Sequence, residues 1–260
     1  MSVKTAQTHV SMSPQVFLQA HSSLPLVIAA SVLLASLLPR SVAATTASCY
    51  LGYKALQLLG RSYGVLSNPR TKNIETRKIT GLIEGDFVVF LIGARSNGPA
   101  FFSKDFQAIG EGMTAMIAEL EASDPEISGY LGQEQFLGGS DTRGSHTLQI
   151  QYWRSVEHLR NYAHESSKNH MSFWPRAQKI IAASPNIGIW HETYSVKAGH
   201  YEGIYANMPP FGLGRAHGVK TVPAIGNLKT MKGRFGDAFE DVTKGGCPFS
   251  SPKGREKVEE

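Results

Sequence analysis

The sequence is organised around residues 186–213, which read NIGIWHETYSVKAGHYEGIYANMPPFGL. The first part, Ile187 to Val196, is rich in aromatic and β-branched residues and is followed by Gly199, a pattern that predicts a strand. Alternate side chains of a strand point to opposite faces, here Trp190, Glu192 and Tyr194 to one face and Ile189, His191 and Thr193 to the other. A strand with one half-polar face either meets solvent at a sheet edge or lines a cavity.

Hydrophobic spacing predicts the remaining elements upstream of this strand. They are a buried strand at Asp86–Arg95, a helix at Phe102–Ala122, a hairpin of Tyr130–Leu137 with Ser145–Trp153, a helix capped by Ser155 and a helical piece at Asn169–Ala182. The order strand, helix, strand, strand, helix, strand predicts an α+β chain with the ferredoxin-like split βαβ fold. A single copy leaves one face of its sheet without helices, so we expect a homodimer, a dimeric α+β barrel, in which the bare faces meet.

Composition divides the chain into five parts. We expect a disordered leader at 1–23, a membrane anchor at 24–60, a linker at 61–84, the ferredoxin-like domain at 85–215 and a disordered tail at 216–260. The leader is polar and lacks any period, and the tail turns Gly-rich and then alternately basic and acidic. Neither segment carries enough apolar surface to build a core of its own.

The anchor prediction depends on the charge-free run from Leu24 to Leu38, which Pro39 and Arg40 stop. The run is shorter than the roughly 20 residues that span a bilayer, and its length also fits the core of a signal peptide with a cleavage site near Ala44. A buried amphipathic helix is disfavoured because the run has no polar face. We expect one extended helix or a two-helix hairpin in the endoplasmic reticulum membrane, with the domain facing the cytoplasm.

Composition and motifs exclude several classes of function. The 260 residues carry a net charge of +5, but the cations are scattered and form no basic helix, so we expect no nucleic-acid partner. The sequence has no motif for a zinc, dinucleotide or nucleotide site, and we expect no metal. The two cysteines, Cys49 and Cys247, lie near opposite ends, which suits a reducing compartment.

Five blocks of this sequence resemble the fungal monooxygenase-like family of the antibiotic-biosynthesis monooxygenase superfamily, known from secondary-metabolite clusters such as that of fumagillin. The resemblance covers about 85–215 and is most specific in the last two blocks. The blocks are Phe90-Leu91-Ile92-Gly93, Gln151-Tyr152-Trp153-Arg154-Ser155, His170 with Trp174, Gly188 through Tyr194, and Tyr201-Glu202 through Asn207 to Leu213.

The resemblance implies an oxygen-using enzyme that acts on a small lipophilic substrate, a terpenoid or polyketide, without metal or flavin. Two alternatives from the same superfamily stay open. One is a haem protein with dehydratase or peroxidase-like activity, in which His170 or His191 would be the axial ligand. The other is a non-catalytic dimer that binds a lipophilic intermediate.

A monooxygenase without a cofactor needs a substrate that can become a carbanion, because triplet oxygen reacts with organic molecules only after one-electron transfer. The protein must then supply a base, a dry pocket and a donor for the developing oxyanion. His191 is the first candidate base because burying an unpaired imidazole in mid-strand would be costly. His170 is the second, four residues before Trp174 on one helix face. The alternatives are a core histidine bonded to backbone and a helix-end or surface histidine, respectively.

The hairpin strand offers a substrate wall. Gln149, Gln151 and Trp153 share one face, and we expect this face to point to the bare side of the sheet while Leu148, Ile150 and Tyr152 pack on the helices. The glutamines could instead pair across the dimer. Further candidate substrate-binding residues lie in the stretch at 186–213: Trp190, Glu192, Tyr194, Tyr205 and Asn207. Tyr205 and Asn207 could donate to an oxyanion, although Asn207-Met208-Pro209-Pro210 also reads as a plain turn.

Overall fold

A computed structural model describes residues 24–68, 71, 74–97, 103–138, 145–165, 167–183 and 185–236. Its centre is a four-stranded antiparallel sheet with strand order β3-β4-β2-β5. The strands are β2 (Phe87–Ser96), β3 (Tyr130–Leu137), β4 (Ser145–Trp153) and β5 (Ile187–Val196). β2 therefore lies in the middle of the sheet, between β4 and β5, and the predicted ferredoxin-like fold is confirmed.

One face of this sheet carries the helices α3 (Lys104–Ala122), α5 (Val156–His164) and α6 (Asn169–Ala183). Local capping explains where two of them begin. Ser103 Oγ accepts a hydrogen bond from Phe106 N at 3.1 Å, and Ser155 Oγ accepts one from His158 N at 3.2 Å, as predicted for Ser155. A single-turn helix, α4 (Pro125–Ser128), ends at Gly129, whose φ of 68° is the left-handed conformation that glycine adopts easily.

The face assignment of β4 differs from the prediction. Trp153 pairs with Val88 of β2 and clusters with Leu120 of α3 and Leu159 of α5, so it points toward the helices. Gln149 and Gln151 share that face, and Tyr152 points to the other side, which we call the open face. The predicted alternation of β4 is correct, but the face predicted to pack on the helices is wrong. Every side chain of the strand therefore points to the side opposite to the predicted one.

The residues after 215 explain this reversal. The predicted disordered tail is wrong for 216–236, because β6 (Lys220–Pro223) pairs with β1 (Ile79–Leu82) in a second, two-stranded sheet. Leu213, Ala216 and Val219 pack against Tyr152 and cover one end of the open face. The apolar face of β4 is therefore buried by the C-terminal segment, and the helices take the face with Trp153. Residues 237–260 lie outside the described part of the chain.

The linker prediction for 61–84 is wrong at its end, because β1 and Ile83 are buried. Tyr205 fixes this strand through paired backbone hydrogen bonds with Ile79 of 2.8 and 3.0 Å. Thr80, which is fully buried, donates its hydroxyl proton to Gly203 O at 2.7 Å. The domain therefore extends beyond the predicted boundaries on both sides.

Two helices precede the domain: α1 (Leu24–Ser36) and α2 (Arg40–Ser62). α1 has 13 residues, about 20 Å of helix, against a hydrocarbon core of about 30 Å. α2 is longer but carries Arg40, Lys54 and Arg61. Within residues 24–236 as described, no helix is both long and apolar enough to span a membrane. This overturns the anchor predicted at 24–60 and the endoplasmic reticulum localisation that depended on it. The predicted leader at 1–23 lies outside the described residues.

Candidate active site

A chain of hydrogen bonds runs along β4 beneath the helices. Trp153 Nε1 donates to Gln151 Oε1 at 3.1 Å, and Gln151 Nε2 donates to Gln149 Oε1 at 3.1 Å. All three side chains are buried, with 0%, 6% and 2% of their surface exposed. Burying two amide side chains costs free energy unless their polar atoms are hydrogen-bonded. The hydrogen bonds among Trp153, Gln151 and Gln149 offset this cost.

Trp153 sets the direction of this chain. An indole nitrogen can only donate a hydrogen bond, so the atom of Gln151 that receives it is the amide oxygen. The Gln151 amide nitrogen then donates onward, and the Gln149 oxygen accepts. The chain therefore ends on the N–H₂ group of Gln149, with the amide dipoles aligned toward that end.

The Gln149 end of the chain lies in one row with His191. The register pairs Gln149 with Ile92 and Ile92 with His191, so the three side chains share the helix-facing side of three adjacent strands. Two strand spacings separate Gln149 from His191, about 10 Å. Gln149 is buried and His191 is exposed, so the row runs from the interior of the domain to the edge of the sheet.

His191 lies on the edge strand β5 and is exposed. Its ring contacts the ring of Phe90, with centroids 5.6 Å apart. His191 shares its face with Ile189 and Thr193, as the alternation predicts, and Ile189 packs against the core under α3 and α6. An accessible imidazole beside an apolar floor can exchange protons with both solvent and a bound molecule.

The second predicted histidine lies elsewhere. His170 begins α6, where its Nδ1 is 2.8 Å from Ala163 O and its ring stacks on Trp174 at 5.6 Å between centroids. A carbonyl oxygen only accepts, so Nδ1 of His170 is the donor in this hydrogen bond. These contacts join α5 to α6, which fits the helix-end alternative for His170.

The open face holds the other polar group of β5. Trp190, Glu192 and Tyr194 lie there together, as predicted, and the Tyr194 hydroxyl donates to Glu192 Oε2 at 2.5 Å. The carboxylate beside it raises the pKa of Tyr194. The Trp190 indole nitrogen lies over Gly93, where an added Cβ would come within 2.8 Å of it. This group is therefore separated from Gln149 and His191 by the thickness of the sheet.

The C-terminal segment is fastened to the open face by residues that the sequence did not single out. Glu134 of β3 accepts a hydrogen bond from Gly212 N and forms an ion pair with the Arg215 guanidinium, both at 3.0 Å, and the same guanidinium donates to Gln133 O at 2.9 Å. Burial raises the pKa of the Tyr152 hydroxyl beneath this segment to about 12. A Glu at an inward position of a predicted strand was the available signal, but its partners are some 80 residues away.

Tyr205 and Asn207 lie in this segment. The Tyr205 hydroxyl accepts a hydrogen bond from Gly214 N at 2.8 Å, which holds the chain turn in place. Asn207 has a φ of 54°, a left-handed conformation that asparagine tolerates in turns. Both observations fit a structural role, and neither residue shares the face of Gln149 and His191.

The haem alternative needs a histidine that faces a cavity. Two clefts of about 320 and 300 Å³ lie along the helices, and neither has His170 or His191 in its wall. Polar side chains such as Glu119, Lys168, Glu111 and Arg176 line them. These clefts do not fit a haem with either histidine as ligand. Among the described residues, no group of three His, Cys, Asp or Glu side chains is placed to hold a metal ion.

Residues 87–213 match the family described as "Monooxygenase af470-like". The central domain is similar to this family. Monooxygenase af470 of Aspergillus fumigatus is 30% identical over 133 residues, which cover 51% of this chain and 46% of that relative. The resemblance predicted from the sequence is thereby confirmed. Since the match spans less than half of the relative, it does not transfer the activity of the whole protein.

Some solved structures match parts of this protein with low scores. An aldoxime dehydratase matches 61% of this chain and 43% of its own, with 13% identity and a TM-score of 0.42. The cofactor-independent oxygenase SnoaB from Streptomyces nogalater matches 42% of this chain and 90% of its own, with 16% identity and a TM-score of 0.26. A dimeric protein of ferredoxin-like fold from Bacteroides fragilis matches 41% and 94%, with 16% identity and a TM-score of 0.27. Scores this low carry no argument about chemistry.

Proposed function

We propose that this protein is a monooxygenase of secondary metabolism that uses O₂ to oxidise a lipophilic substrate with an acidic C–H bond. In this proposal the row of Gln149, Ile92 and His191 is the active site. The observation that carries the proposal is the directed chain from Trp153, which ends on the amide donors of Gln149. The family match of residues 87–213 supports the reaction class.

The row supplies two of the groups that such a reaction needs. His191 takes a proton from the substrate carbon, and the resulting carbanion or enolate places negative charge on an adjacent oxygen. Gln149 donates to that oxygen, and because its amide is already oriented by Gln151 and Trp153, no reorganisation is needed when the charge forms.

Oxidation follows once the carbanion exists. It passes one electron to O₂, the substrate radical and superoxide combine, and protonation gives a hydroperoxide that can lose water. Ile92 and Phe90 are apolar side chains on the same face as Gln149 and the exposed His191, which favours a lipophilic substrate. The terpenoid or polyketide class, and a reaction without metal or flavin, follow from the family resemblance.

The test is the variant His191→Ala, with Thr193→Ala on the same face of β5 as the matched control. If His191 is the base, its loss lowers turnover by about 10²- to 10⁴-fold while the thermal midpoint stays near that of the control. Oxygen uptake with candidate substrates and thermal unfolding give the two readings. A variant that unfolds early yet turns over normally per folded molecule assigns His191 a structural role.

We also propose that the protein is a homodimer through the open face. Phe136, Trp190, Tyr194 and Phe211 are 37–52% exposed there, next to half-buried Leu91 and Ile150. Large aromatic side chains gathered on one sheet face mark an interface, and a second copy offers the same aromatic surface in return. The predicted dimer is kept, but through Tyr152's face rather than through Trp153's.

A further inference from the structure

Trp153 lies between two tyrosines under the helices. Its ring centroid is 5.3 Å from that of Tyr130 and 5.8 Å from that of Tyr162, and the indole is completely buried. Rings separated by a single van der Waals gap exchange electrons readily, and tryptophan and tyrosine are the most easily oxidised aromatic side chains. The cluster is joined to the proposed active site through the hydrogen bond from Trp153 to Gln151.

The two tyrosines differ in what can take their proton. Tyr162 donates its hydroxyl proton to Glu119 Oε2 at 3.0 Å. The Tyr130 hydroxyl is buried and has no hydrogen-bond partner among the described residues. Burial raises the pKa of both phenols, so neither ionises in advance. A tyrosine is oxidised at neutral pH only if its proton leaves with the electron, and only Tyr162 has a base in place.

Trp153, unlike Tyr162, has no base that could take its proton on oxidation. Its N–H donates to the amide oxygen of Gln151, which is too weak a base to remove the proton from an oxidised indole. Oxidised Trp153 therefore stays a radical cation, a stronger oxidant than the neutral radical. It is able to take an electron from Tyr162.

We propose that Trp153, Tyr162 and Glu119 form a one-electron relay that carries oxidising equivalents from the buried Trp153 to the surface. When the superoxide leaves and the substrate radical combines instead with a second O₂, the product is a peroxyl radical. Trp153 gives this radical one electron, and the resulting peroxide anion is protonated to the hydroperoxide. Tyr162 then returns one electron to Trp153 while its proton passes to Glu119 Oε2. The result is a neutral indole, a neutral tyrosyl radical and a protonated Glu119. A one-electron reductant from solution restores Tyr162, which takes its proton back from Glu119.

The surface end of the relay is an existing cleft. Tyr162 and Glu119 line a cleft of about 320 Å³ together with Asn161, Glu165 and Lys168. Lys168 Nζ lies 4.0 Å from Glu119 Oε1 and 3.9 Å from Glu165 Oε2. Glu119 keeps 23% of its side chain exposed, so a reductant in solution can reach this end although it cannot reach Trp153.

This inference rests on the proposed function only for the source of the first oxidant, and light can replace that source. The chain has three tryptophans, and the double variant Trp174→Phe/Trp190→Phe leaves Trp153 alone. A laser flash that photoionises this indole creates the oxidised state directly. Time-resolved absorption then separates the broad tryptophanyl band from the narrow tyrosyl band.

We expect the tryptophanyl signal to decay as the tyrosyl signal rises, at a rate that does not depend on protein concentration. Tyr162→Phe in this background keeps the ring and removes the hydroxyl, and Glu119→Gln keeps an acceptor but removes the base. Each slows the transfer by about tenfold or more, equal to a barrier increase of ~1.4 kcal/mol. The matched control is Tyr130→Phe. Tyr130 lies as close to Trp153 as Tyr162 does, and we expect this variant to leave the rate unchanged.

Transfer that survives in Tyr162→Phe, or that is lost in Tyr130→Phe, overturns the relay. Circular dichroism checks that each variant is folded. If the double variant does not fold, the same comparison of Tyr162→Phe with Tyr130→Phe in the wild-type chain decides the question. An intact relay in a protein without oxygen uptake contradicts the proposed function alone, and oxygen uptake without electron transfer contradicts the relay alone.

Discussion

The two faces of the four-stranded sheet differ in which side chains they bury, although polar and apolar residues alternate along the strands of both. The helix-facing side buries polar groups, Gln149 and Gln151, by bonding them in series to Trp153. The open side leaves apolar groups such as Trp190 and Phe136 exposed in the single chain. A fold gains stability by the reverse arrangement, and these departures support our proposals of catalysis on the first face and association on the second.

The largest effect is expected for Gln149→Leu, which breaks the helix-facing side of this comparison. The variant removes the terminal donor while keeping a similar volume, and loss of one oxyanion donor costs about 10²- to 10³-fold in rate. Steady-state oxygen uptake measures it. Gln135→Leu, at the paired and exposed position of β3, is the control. Equal rates in the two variants would remove Gln149 from the mechanism.

The next effect is expected for Ile150→Glu on the open face. It places a carboxylate at the centre of the proposed interface, where two copies bring like charges together in a poorly solvated place at a cost of several kcal/mol. Light scattering should then report a monomer where the wild type is a dimer. Thr193→Glu, exposed on the other side of β5, should leave the dimer intact. A wild-type monomer at micromolar concentration would contradict the interface itself.

A smaller effect is expected for Glu134→Ala, which sharpens the boundary between the covered and uncovered parts of the open face. The variant removes the hydrogen bond from Gly212 N, worth about 1.5–3 kcal/mol as a bond to a charged group. It also removes the ion pair with Arg215, whose side chain is 48% exposed, so this pair adds only about 0–1 kcal/mol. Hydrogen exchange should speed up at 211–219, while the protection of β4 changes little. Glu126→Ala, which removes the exposed contact with His217, is the control and should have almost no effect. Unchanged exchange at 211–219 would show that apolar packing alone holds the segment.

Both faces were visible in the sequence as alternation, and so was the order of elements that gives the ferredoxin-like fold. Ile187–Val196 is a strand with the predicted ends, and Ser155 caps the helix that it was predicted to cap. Such features depend on neighbours within a few residues of one another. The local sequence therefore determines them through strand propensity and helix capping.

The sequence alone did not decide which face of β4 meets the helices. Leu148, Ile150 and Tyr152 form an apolar face, and for that reason the sequence predicts that they pack on the helices. In the structure the cover comes from Leu213, Ala216 and Val219, about 60 residues away, and Glu134 holds it there. The helices then take the face of Trp153, which turns two glutamines into a buried, directed chain. Local pattern fixes that a strand alternates, but only the long-range competition for its two faces fixes which side becomes the site.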